Sequence, residues 1–161
     1  MIENSTPPAG MDGGLLDSLY MLSQRYHSRG LYEPAAQLLA FLLRQQPTQT
    51  HLHFALGKAQ HAQSQHDQAV LSYRRALALG LSAIDVHLYL GQCLIFLAQP
   101  IPAAEALRQY MALALSQPDA PGASAHLPRA AFLLNHVVLP RVQPGAAPGS
   151  DPRAFADALG A

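Results

Sequence analysis

The sequence predicts an all-α protein: helical hairpins of fixed length, stacked as a short superhelix and closed by one further helix. Three observations carry this prediction. Small residues recur every 34 positions, larger apolar residues follow them at helical spacing, and turn-forming residues fall where each hairpin must reverse.

Leu56-Gly57 returns 34 residues later as Leu90-Gly91, and Leu22-Ser23 stands the same distance before it. Ala35, Ala69 and Ala103 keep that step, as do Leu39, Tyr73 and Leu107, and Leu42, Ala76 and Tyr110. Gly57 and Gly91, with Ser23 as the small substitute, leave room on the first helix of each pair for close approach of the second. The three alanines do the same from the other side. The bulkier residues, four and seven positions after each alanine, fill the seam. A step of 34 is the period of the tetratricopeptide repeat, and no such unit buries its apolar face alone, so at least three stacked units are expected.

The elements follow in order. Residues 1–14 are expected to be a flexible leader. Repeats are expected over 15–116, with units at about 16–49, 50–83 and 84–117. Gly30 reverses the first pair, Pro34 and Pro102 suit the first turns of second helices, and Pro47 ends the first unit. Asp67 is expected to cap the second helix of the middle unit, and Ser82 to Asp85 to open the third unit as a capping box. Residues 117–125 (QPDAPGASA) read as a linker, 126–139 as a capping helix, and 140–161, rich in Pro, Gly and Ala, as a disordered tail with a short helix at 153–159.

Composition narrows function. The 161 residues are 50% hydrophobic and only 12% charged, with ten basic against ten acidic residues. A balanced charge argues against nucleic acid and against a polybasic membrane anchor. No apolar run reaches the ~18 residues of a membrane span, and the N-terminus lacks the charged and apolar regions of a signal peptide. A single cysteine, Cys93, rules out an internal disulfide and fits a reducing cytoplasm.

First helices of such stacks line the concave side. Inward positions place Tyr20, Met21, Gln24 and His27 in the first unit, Phe54, Lys58 and His61 in the second, and Leu88, Tyr89, Gln92 and Phe96 in the third. Aromatic and apolar anchors with a few polar groups suit a peptide groove. Lys58 is the only lysine of the chain. The eight histidines supply no tetrahedral ligand set by spacing: His51 and His53 point apart on a helix, and no cysteine or acidic residue is placed to join His27 and His61. Cys93 reads as a buried inert thiol. No phosphate loop, G-x-S-x-G or H-E-x-x-H motif appears. No enzyme activity, cofactor or metal is expected.

The stretch from Leu16 to Gly80 resembles the class II chaperones of bacterial type III secretion, the SycD/LcrH/IpgC group. The features are Leu19-Tyr20, Tyr26 with Gly30-Leu31-Tyr32, Ala35, Leu56-Gly57, Asp67-Gln68-Ala69, Tyr73 and the run Gly91-Gln92-Cys93-Leu94. The resemblance covers about residues 15–115. It implies a cytoplasmic chaperone that keeps hydrophobic, membrane-inserting translocator proteins soluble and ready for secretion. An extended segment of the partner then lies in the groove, with contacts at Tyr20, Phe54, Lys58, Leu88 and Tyr89. A homodimer is a further partner the family implies, although its usual longer dimerising helical segment is replaced here by about 14 Pro- and Gly-rich residues. Two other readings fit the repeats: a scaffold subunit of a secretion or pilus assembly, and a regulatory protein that binds a transcription factor.

Overall fold

The structure is a computed structural model that describes residues 13–81, 83–119, 123 and 125–142. Six helices follow one another: α1 Gly13–Ser28, α2 Tyr32–Gln45, α3 Thr50–Ala62, α4 His66–Ala78, α5 Asp85–Phe96 and α6 Pro100–Ser116. A terminal rod then runs as α7 Leu127–Phe132, a π-helical stretch Leu133–Val138 and α8 Leu139–Val142. Among the described residues there is no strand.

The 34-residue period is written in the turns. At each hairpin reversal the chain closes with the same bond, between residues five positions apart: Leu31 N–H to Tyr26 O, Gln65 N–H to Gln60 O, and Gln99 N–H to Leu94 O, each 2.9 Å. This is the Schellman closure, and it requires a left-handed residue just after the helix. Gly30 (φ 75°), Ser64 (φ 59°) and Ala98 (φ 54°) occupy that place in turn. Glycine holds it without strain, whereas alanine does not. Ala98 is exposed, so little buried area is lost with its methyl. Ala98→Gly is therefore expected to stabilise the chain by about 0.5–1 kcal/mol, read as an increased urea midpoint at unchanged m-value.

The seam columns form the core. Ala35, Ala69, Ala103, Tyr73, Ala76, Leu107 and Tyr110 are each 0% exposed. Helices α1 and α2, α3 and α4, and α5 and α6 pack as pairs; α2 then packs on α3, α4 on α5, and α6 on the terminal rod. Apolar burial is the main stabilising term, and it is distributed over two clusters. One joins the first hairpin to Leu52, Ala55 and Ala59 of α3. The other runs from Ala69 through α5 and α6 to Ala130, Leu133, Leu134 and Val138 of the rod. Two side chains tie separate segments together: the part-buried Gln63 amide donates to Tyr32 O at 3.3 Å, and the buried Tyr110 hydroxyl donates to Ala123 O at 3.1 Å.

Several local expectations change. The N-cap position of α4 is Gln65, and Asp67 lies within the first turn, where a carboxylate favours the helix dipole without capping it. Helix α1 already begins at Gly13. The terminal rod continues through Pro140 to Val142 instead of ending at Leu139. A proline ring clashes with the carbonyl four residues back in a regular α-turn; the π-helical widening lies directly before Pro140 and opens that turn. The leader over 1–12, Ser82 of the capping box, residues 120–122 and 124 of the linker, and the tail over 143–161 with its short helix lie outside the described residues.

Candidate peptide-binding groove

The inward positions of α1 and α3 come together. Tyr20, Gln24 and His27 from α1 face Phe54, Ala55 and Lys58 from α3 across a cleft of about 90 Å³, floored by Leu39 of α2. The period explains the juxtaposition. Tyr20 and Phe54 occupy the same position of successive units, as do Gln24 and Lys58, so stacking the units stacks these side chains. Leu39 is a seam residue, 1% exposed, and its appearance in the cleft floor was not readable from the inward register.

The cleft is apolar with one cation. Tyr20 meets His51 edge to face, with ring centres 5.0 Å apart. The Lys58 ammonium sits 5.9 Å from the centre of the Phe54 ring, within cation–π reach. Burial pushes the Tyr20 phenol above its ordinary value. Burial, and then the charge of Lys58, hold the His27 imidazole below its ordinary value, so it lines the cleft as a neutral ring near pH 7. His27 packs on Tyr32 at 5.2 Å and does not pair with His61.

From Phe54 an aromatic row continues to the third unit. Phe54 lies 6.0 Å from Tyr89 and 5.9 Å from the buried Tyr73. His61 lies 6.2 Å from Tyr89 and 6.3 Å from Phe96, whose ring stacks on His66 at 4.2 Å. Met21 at 61% and Phe96 at 39% exposure remain at the surface.

Leu88 and Gln92 are not groove surface. They are 1% and 3% exposed, as is their neighbour Ile95 at 6%. Leu88 and Ile95 belong to the buried cluster that includes Ala130, Leu133, Leu134 and Val138 of the terminal rod. Arg129 of α7 also lies close enough to Tyr89 and His61 for its charge to act on both. The open part of the groove is thus the α1–α3 cleft and the aromatic row leading from it.

No family model matches the sequence, and no curated protein matches it. Solved structures do. PcrH in complex with the chaperone binding region of PopD superposes with a TM-score of 0.73 at 20% identity, over 81% of this chain and 96% of that one. The Yersinia enterocolitica type III secretion chaperone SycD, in complex with a peptide of the translocator YopD, gives 0.72 at 19% identity over 80% and 96%. A type III secretion complex from Aeromonas hydrophila gives 0.71 at 21% identity over 78% and 82%. The chain has the fold of the type III secretion translocator chaperones. The shared fold spans nearly all of PcrH and SycD. A fold preserved at about a fifth identity is what seam residues dictate, since small–large pairing at helix crossings tolerates wide change elsewhere.

Proposed function

We propose that the chain is a cytoplasmic type III secretion chaperone, acting by binding alone, that holds an extended segment of a hydrophobic translocator in the groove between α1 and α3. The observation that carries this reading is the cleft itself. Its lining joins Tyr20, Phe54 and Leu39 to a single cation, Lys58, and two polar side chains, Gln24 and His27. A volume of about 90 Å³ accommodates one aliphatic side chain of a peptide, well short of the ~300–1,000 Å³ of small-molecule sites. Lys58 and Gln24 offer donors to peptide carbonyls beside that anchor, and the row Tyr89, His61 and Phe96 extends the track for neighbouring residues. PcrH and SycD, which share the fold, were solved with translocator segments, and this supports the same class of occupant.

Co-expression tests the proposal. When the chain is produced with a type III translocator, the translocator is expected to move from the insoluble to the soluble fraction and to co-purify with it. If the translocator stays insoluble while the chain instead co-purifies with subunits of the secretion apparatus, the scaffold reading takes its place.

A further inference from the structure

We propose that His61, His66 and Cys93 form a three-ligand site for Zn²⁺ where α3, α4 and α5 meet. One ligand atom from each residue lies within 4.8 Å of the other two. The three come from separate helices: His61 from the last turn of α3, His66 from the first residue of α4, and Cys93 from the last turn of α5. Ligand atoms of a tetrahedral zinc stand roughly 3.3–3.7 Å apart, given its ~2.0–2.3 Å bonds. Side-chain rotation closing the cluster by about 1 Å would meet that geometry. Both imidazoles are only partly buried, while Cys93 is fully buried and fixes the inner vertex.

An independent observation points to a ligand at this place. The Nδ1 atom of His66 is sealed from solvent and has no hydrogen-bond partner. A buried, unpaired ring nitrogen is costly, and coordination is one of the few ways to satisfy it. Two imidazoles and a thiol, with no carboxylate among them, select a borderline or soft ion over Mg²⁺ or Ca²⁺. His66 stacks on Phe96, which holds the ring in a defined plane, and with three protein ligands the fourth position of a tetrahedral ion would be taken by water.

Arg129 acts on His61 and opposes a cation there. Burial keeps the Cys93 thiol protonated, with its pKa pushed up to about 12. Zinc binding replaces the thiol proton with a sulfur–metal bond and releases that proton to solvent. The resulting thiolate offsets part of the ion's charge. Coordination would then cross-link the second hairpin to the third, beside the aromatic row. This inference does not depend on what the groove binds.

The full chain, reduced and stripped of metal, would be titrated with Co²⁺ as the optical probe and then with Zn²⁺. The expected result is a thiolate-to-cobalt charge-transfer band with four-coordinate visible bands, saturating at one ion per chain and displaced by Zn²⁺. His66→Gln and Cys93→Ser are each expected to lower Zn²⁺ affinity at least about 100-fold, since a lost ligand costs no less than a lost second-shell partner. His51→Gln with His53→Gln should leave it unchanged. If Cys93→Ser fails to fold by circular dichroism, His66→Gln, altered at a partly exposed helix start, decides alone. Absence of the charge-transfer band in the parent chain, or parental Zn²⁺ affinity in folded His66→Gln, overturns the site.

Discussion

Gly57→Ala is expected to destabilise the protein by about 2–3 kcal/mol, against the usual direction of such a change. A helix-interior glycine normally costs about 1 kcal/mol relative to alanine, so the substitution would stabilise an isolated α3. In the hairpin, the added Cβ would stand 2.5 Å from Cε1 and 2.7 Å from Cδ1 of Tyr73. Tyr73 is 0% exposed, and its ring is bounded by Phe54 at 5.9 Å and Tyr89 at 6.1 Å. A rigid aromatic ring in a filled core cannot yield by a few tenths of an ångström as an aliphatic chain can. The helices would have to separate, and every contact of the seam would weaken with them. Against a total of ~5–15 kcal/mol this is a large fraction of stability.

Gly91 supplies the internal comparison. There the added Cβ would meet the Leu107 side chain, with Cδ2 at 2.9 Å. Leu107 Cγ stands at the same 2.9 Å, so turning a methyl does not clear the contact, but the aliphatic chain lies farther out than the Tyr73 ring and can shift as a whole, and Gly91→Ala is expected to cost less, about 1 kcal/mol. Urea denaturation of both variants reads the difference directly. Tyr73→Leu in the Gly57→Ala background should recover part of the loss, because the obstructing ring is gone. Equal midpoints for Gly57→Ala and the parent would show that the helices are not held apart by a single Cβ, and the account of the seam would fail.

Tyr20→Ala combined with Lys58→Glu is the second large expectation: translocator affinity should fall at least about 100-fold. Tyr20 supplies an aromatic wall of the cleft and Lys58 its one cation. Interface aromatics commonly contribute ~2 kcal/mol or more on truncation, and a reversed charge facing peptide carbonyls adds repulsion. The same change should leave the fold nearly intact. Tyr20 is half-buried, with its ring against His51, and Lys58 packs only loosely over Phe54. Pull-down of a co-expressed translocator gives the affinity arm, and a melting curve gives the stability arm. Retained co-purification with an unchanged melt would remove the cleft as the binding site.

Phe54, the other aromatic at the equivalent position, is a poorer probe of binding. Its ring faces the cleft and also packs on buried Tyr73 and on Tyr89, as part of the margin of the larger core cluster. Phe54→Ala would lower stability and binding together, and loss of co-purification could then be read either way. The inward register identifies Phe54 as a groove residue without showing that it is also core, because position within a repeat fixes direction and not depth.

Much of the architecture was legible in the chain. Columns of small residues at 34-residue spacing required helices to cross closely at Gly57 and Gly91, and the larger residues opposite them had to be buried. Those constraints are local and repeat identically, so the all-helical fold, the hairpin seams and the facing of Tyr20, Gln24 and His27 toward Phe54 and Lys58 could be read from the chain alone. Repetition ends at the last unit, and there tertiary structure decided. The terminal rod shares a buried cluster with Leu88 and Ile95, which translation of the earlier units would have left in the groove. Only the folded chain brought His61, His66 and Cys93 together, because they meet across a turn and between neighbouring units. Periodicity encodes what each unit does in common with the others; convergence of unlike positions from three helices leaves no periodic trace, and has to be read from the packing.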